Sequence, residues 1–159
     1  MNDTFEYKIW ERCNDIYKQL GSSHNECVYQ KALVLELYNL GASSVEYEKA
    51  VPVFYTDSNR ITHTVGSERI DVLARFHNKI VLFELKAITS CIKDAEVLQI
   101  FKYFDALKHL NIDVTHMCII NFAQNLKKPL MIDSKFFNVI NDNDGEEVSF
   151  KFTPCEFSS

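Results

Sequence analysis

Two short apolar segments each carry charges that a buried strand ordinarily excludes. The first is Ile70-Asp71-Val72-Leu73 and the second is Leu82-Phe83-Glu84-Leu85-Lys86. Both read as strands, because β-branched and aromatic residues suit a pleated, buried surface. Side chains alternate between the faces of a strand, so Glu84 and Lys86 project from the same face. Charged groups are seldom buried unless they are paired or bound to metal. A strand that begins Ile80-Val81-Leu82-Phe83 is expected to end in Glu84 and Lys86 only where those charges are used.

The flanking pattern supplies the other elements. Phe5, Ile9, Cys13, Ile16, Tyr17 and Leu20 recur at three- and four-residue intervals and predict a helix over residues 5–20. Gly21-Ser22-Ser23 interrupts it. A second helix is expected to start with Ser23 as N-cap and Glu26 three residues on, the capping-box spacing, and to stop at Gly41. Val28, Ala32, Leu35 and Tyr38 would form its inner stripe. Strands follow over residues 45–55, 64–76 and 79–87, with Pro52 pointing to an edge position for the first and His77-Asn78 to a hairpin between the other two. A helix over 93–110 and a buried strand over 115–122 complete an α-β-β-β-α-β order, which implies an α/β fold with a mixed sheet flanked by helices. In the tail, 136–140 and 148–152 are expected to pair across the acidic stretch Asn141 to Glu146. That stretch lacks an acid two residues before Asp142 and a closing glutamate, so it reads as a hairpin turn rather than a calcium loop.

Composition narrows the classes. A length of 159 residues suits one domain, and four glycines and three prolines argue against a disordered or fibrous chain. No apolar run reaches the roughly 18 residues of a membrane span. The start, Met1-Asn2-Asp3-Thr4-Phe5-Glu6, does not read as a secretory signal. Cys13, Cys27, Cys91, Cys118 and Cys155 show no local pairing, which argues against zinc and iron–sulfur sites. Thiols in a reducing, intracellular compartment (cytoplasm or nucleus) are the expectation. A net charge of −5 counts against a general nucleic-acid coat, yet leaves room for an acidic catalytic site with local phosphate contacts.

Taken in order, these segments resemble the GxxExxY family of the PD-(D/E)XK nuclease superfamily, whose core has the restriction-endonuclease-like α-β-β-β-α-β order. The matching stretches are Gly21 to Leu37, Val51-Pro52-Val53-Phe54-Tyr55, Arg69 to Leu73, Leu82 to Ala87, Gln99 to Phe104 and Ile119-Ile120-Asn121-Phe122. They assign a nuclease-like domain to residues 1–132 and leave 133–159 as a C-terminal hairpin or tail packed on it. The naming motif reads SxxExxY here, with Ser23 for glycine and with Glu26 and Tyr29 retained. Ile70 stands where a proline often precedes the first acid, and Glu96 where a histidine is common. Gln99-x-x-x-Tyr103 is similar to the QxxxY feature of RecB-type nucleases, and its i, i+4 spacing puts both residues on one helical face.

The resemblance implies a DNA nuclease dependent on Mg²⁺ or Mn²⁺. Asp71 and Glu84 would hold the ion, with the Leu85 carbonyl nearby and Glu26 as a further ligand, direct or through water. Lys86 would orient the attacking water or neutralise the phosphate. Gln99 and Tyr103 would position Lys86 or the scissile phosphate, and Tyr29 is read as packing. Lys93, Lys102, Lys108, Lys127 and Lys128 are candidates for a phosphate track, though a solvated face explains most of them. Each residue taken singly also has a structural explanation: a strand-end acid, an ion pair, a helix cap. Repair, recombination and end processing are the implied settings, with a homodimer or protein partner left open for a chain so short and acidic. Two other readings are carried: a nucleic-acid-binding accessory module with little cleavage, and, from Phe136, Phe137, Phe150, Phe152 and Phe157, a structural part of a larger assembly.

Overall fold

Thr4 opens the first helix by accepting a hydrogen bond from the Tyr7 amide, and α1 (Phe5–Leu20) then runs to Gly21, whose φ of +71° ends it. The computed structural model describes residues 3–124, 131–144 and 147–155. Helix α2 (Glu26–Asn39) follows, then the long strands β1 (Ser44–Thr56) and β2 (Thr62–Arg75), and β3 (Ile80–Lys86). Helix α3 (Asp94–His109) crosses over to β4 (His116–Asn121), and β5 (Asp133–Asp144) and β6 (Glu147–Cys155) close the order.

Among the described residues, the strands form one six-stranded mixed sheet in sequential order. All neighbours are antiparallel except β3 and β4, the pair joined by α3. This crossover is what a parallel pair requires. Strand β1 lies at the edge, as Pro52 predicts, and β2 and β3 form the expected hairpin with Phe76 and Lys79 closing its turn. Strand β5 lies against β4 and pairs with β6 as far as Asp144↔Glu147. Residues 141–144 are therefore strand rather than the expected turn, and the two residues that connect the strands lie outside the described residues. Among the described residues, no helix is long and apolar enough to cross a membrane.

Two cores cover the two faces of the sheet. One packs α1 and α2 against Val72, Ala74, Val81, Phe83, Leu85, Cys118 and Ile120. The other packs α3 against Leu73, Leu82, Met117 and Ile119. Alternation along β3 and β4 thus supplies both cores at once, and this is why these strands read as continuous apolar runs.

Helix α2 departs from expectation in two ways. Its N-cap is Asn25, not Ser23, so Glu26 is the first helical residue and closes no capping box. Ser23 instead has a φ of +81° and gives its amide to Gln124 at 2.7 Å. The inward stripe is also rotated: Tyr29, Gln30, Leu33 and Leu37 are buried, whereas Leu35 and Tyr38 are exposed. Aromatic packing decides this register. Tyr29 stacks flat on Phe122 at 4.4 Å, and its hydroxyl donates to the Gly21 carbonyl at 2.6 Å. Truncation by Tyr29→Ala is expected to cost about 3–5 kcal/mol, and Tyr29→Phe about 1 kcal/mol. Urea unfolding of the two variants checks the difference.

Candidate active site

The ladder between β2 and β3 runs from Arg75↔Ile80 to Val72↔Phe83, so Asp71 and Glu84 are the first residues beyond it. There the strands separate enough for side chains to enter. The Asp71 Oδ2 accepts a hydrogen bond from the Leu85 amide at 2.6 Å, which fixes the acid of one strand to the backbone of the next. Phe83 and Leu85 are committed to the α1–α2 core, so Glu84 and Lys86 face the α3 side. The Lys86 Nζ lies 3.1 Å from the Glu84 Oε1. The Glu84 Oε2 is buried and has no hydrogen-bond partner among the described residues.

Burial first, and charge crowding after it, raise the proton affinity of these carboxyls. Burial pushes the Glu84 carboxyl up to about 7, with the Asp71 charge adding to it and Lys86 opposing. Burial also lifts Asp71 to about 6, against the Leu85 amide and with Glu26 and Glu48 adding to it. Burial alone would lower Lys86, but the carboxylates of Glu84, Glu26 and Asp71 outweigh it and hold the ammonium above its usual range. Burial and then the Glu84 charge push the Tyr103 phenol up to about 12, so it stays protonated near neutral pH.

Helices approach this strand end from both layers. From α2, Glu26 lies close enough to interact electrostatically with Lys86 and Asp71, and burial shifts its carboxyl upward. Its place at the first helical position leaves the carboxylate to the site rather than to a cap. From α3, the Gln99 Nε2 donates to the Tyr103 hydroxyl at 2.6 Å. Among the described residues, no hydrogen bond joins either of them to Lys86. Glu96 accepts from the Lys93 amide at 2.9 Å and serves the start of α3. Lys93, Lys102 and Lys108 are exposed, whereas Lys127 and Lys128 lie outside the described residues.

Three residues escape sequence reasoning. Asn121 is fully buried; its side chain accepts from the Ile88 amide at 3.1 Å and donates to the Ser90 carbonyl at 3.0 Å, which holds the segment just beyond Lys86. An asparagine within Cys118-Ile119-Ile120-Asn121-Phe122 is a legible signal of a buried polar role. Gln30 follows Glu26 by four residues on one helical face, another readable sign. Glu48 carries no such sign. Together with Glu26, Asp71, Leu85 and Cys27 these two line a recess of about 20 Å³.

The donors are all oxygen, which suits a hard divalent cation. Among the described residues, no three His, Cys, Asp or Glu side chains converge into a complete cage. Magnesium keeps several of its waters and takes only one or two carboxylates, so Asp71 and Glu84 meet its demand. The partnerless Glu84 oxygen is a buried atom that a cation would satisfy.

The mixed sheet and the helices on both of its faces define the class: a restriction-endonuclease-like α/β protein. Residues 3–132 match the sequence model of the PD-(D/E)XK nuclease superfamily, and the chain belongs to that superfamily. No curated protein matches the chain.

The raised carboxyls have a consequence for stability. An unfolded chain releases these protons near pH 4, whereas the folded one holds them to about 6 and about 7. Protons are then bound more tightly by the folded state, so stability without metal falls as pH rises from about 4 to about 7. Replacing the buried charge, Glu84→Gln, is expected to raise the melting temperature at pH 8 in EDTA by about 2–4 °C. The gain should disappear near pH 4, as thermal melts across that range will show.

Proposed function

We propose that this protein is a metal-dependent nuclease that hydrolyses phosphodiester bonds in DNA, using Mg²⁺ or Mn²⁺. The observation that carries the reading is the convergence of Asp71, Glu84 and Lys86 where β2 and β3 part, with one buried carboxylate oxygen left without a partner among the described residues. Asp71 and Glu84 would hold the ion, with Glu26 and the Leu85 backbone beside them. When bound, the ion supplies Lewis-acid polarisation of a phosphoryl oxygen and a more acidic water.

The protein's own groups do the rest. Lys86, kept cationic by its acidic neighbours, sets positive charge against the phosphate as negative charge builds in the transition state. Tyr103, kept protonated, has a hydroxyl to donate, and Gln99 orients it. In the balanced reaction a water oxygen bonds to phosphorus, the bond to one bridging oxygen breaks, and that oxygen leaves with a proton. A groove of about 430 Å³ between β1 and α3, lined by Phe54, Lys102 and Tyr103 among others, adjoins the site and supports a path for the substrate strand. The Gln99–Tyr103 pair favours work on DNA ends or single strands, hence a place in repair, recombination or end processing. The free thiols of Cys13, Cys27 and Cys91 suit a reducing, intracellular compartment.

The test is cleavage of labelled linear, circular and single-stranded DNA with Mg²⁺ or Mn²⁺. Wild type is expected to cut, Asp71→Ala to abolish cutting, and Lys86→Ala to slow it by about 10²–10³-fold, with all three folded by circular dichroism. Mn²⁺ binding to the metal-free protein should strengthen as pH rises through about 6 to 7, because Asp71 and Glu84 must ionise to take the ion. A wild type that binds metal and DNA but cuts neither strand would instead make this a binding module.

A further inference from the structure

One residue inside the sheet has a backbone that strands do not adopt. Glu48 lies within β1, yet its φ is +54°, in the left-handed region that favours glycine. The pairing of β1 with β2 passes from Tyr47↔Val72 to Lys49↔Ile70 without a change of register. The missing rung is Glu48 opposite Asp71. Side-chain alternation resets at the same place. On β2, Leu73 and Ile70 both join the α3 core although they are three positions apart, an odd step that would put them on opposite faces. On β1, Val45 packs with the α1–α2 core and Val51 with the α3 core although they are six positions apart, an even step that would put them on one face. Both strands therefore turn over at the Glu48–Asp71 step.

The interruption opens a place for a side chain from α2. Gln30 is 7% exposed, and its Nε2 donates to the Asp71 carbonyl at 2.9 Å and to the Glu48 Oε1 at 3.1 Å. One amide thus anchors α2 to the strand that carries Asp71 and holds the carboxylate of the strained residue. Glu26 is one helical turn before Gln30, so the same anchor sets where Glu26 stands. Arg69 meets the other Glu48 oxygen at 3.6 Å. Strained residues persist where the surrounding structure over-determines them, and they cluster at active sites.

We propose that Gln30 is a positioning residue of the active site, and that it holds Glu48 as a further acidic group facing the recess between Glu26 and Asp71. Glu48 acts on the cation, directly or through its water shell, and its left-handed backbone is what turns it toward the recess. The inference rests on the nuclease reading and adds two residues to it.

The test uses the whole chain and measures Mn²⁺ binding by calorimetry, cleavage against Mn²⁺ concentration, and the melting temperature without metal. Glu48→Gln keeps an acceptor for Gln30 and removes the charge. It is expected to weaken Mn²⁺ binding about tenfold at an unchanged melting temperature, with cleavage shifted to higher Mn²⁺. Glu48→Gly relieves the backbone, so it should raise the melting temperature while also weakening Mn²⁺ binding. A merely structural Glu48 would not separate stability from metal affinity in this way. Gln30→Leu should lower affinity and the maximal rate together. If wild type binds Mn²⁺ and cuts, and both Glu48 variants match it within twofold in Mn²⁺ affinity and cleavage, this inference is overturned and the nuclease reading stands. If wild type neither binds Mn²⁺ nor cuts, the nuclease reading falls and the inference with it.

Discussion

The desolvation of Glu84 is the constraint around which this molecule is arranged. A carboxylate that is 4% exposed is costly to ionise unless compensation lies close by. Lys86 supplies part of it at 3.1 Å, and Asp71, itself fastened to the Leu85 amide, adds a second negative charge that works against it. The charges at this strand end are therefore unbalanced: Asp71, Glu84, Glu26 and Glu48 stand against Lys86 and, at Glu48, Arg69. Under the proposed nuclease reading, this excess of acids is what the cation would offset.

Holding that excess requires both faces of the sheet. The side facing α1 and α2 is closed by Tyr29 on Phe122 and by the tie from Ser23 to Gln124, and together these aim the first turn of α2 at Asp71. On the α3 side, Asn121 grips the chain just after Lys86. Farther along, the Asp133 carboxylate receives the Ile92 amide at 2.7 Å. The ends of β3 and the start of α3 are thus fastened to β4 and β5. The crossover that makes β3 and β4 parallel also brings Gln99 and Tyr103 over the acids. Topology and site are one construction here: the sheet parts where the catalytic candidates begin, and the packed helices keep it parted.

Much of this was legible in the residues. Helix α1 was readable from its three-to-four spacing, and β3 and β4 from continuous apolar runs. Pro52 marked the edge strand. Asp71, Glu84 and Lys86 stood out because charge interrupts hydrophobic strands only for a reason. The start of α2 departs from its local signal, the capping-box spacing of Ser23 and Glu26. A contact 101 residues away, from Ser23 to Gln124, overrides that local preference. The buried face of α2 is not set by apolar character alone, because Val28, Leu35 and Tyr38 are as apolar as the residues that are buried.

Local periodicity and the chemistry of side chains belong to the sequence alone, and they determined the element order, the α/β class and the acid–acid–lysine set. Tertiary structure decided which atoms meet. It turned Glu26 from a cap into a neighbour of Asp71, and it put Gln30 on the Asp71 carbonyl. It also placed Glu48 in a left-handed conformation that no local preference for glutamate predicts. The reason is physical. A strand's alternation is a local property, but its interruption opposite Asp71 exists only because a side chain from a distant helix takes the carbonyl that the ladder gives up.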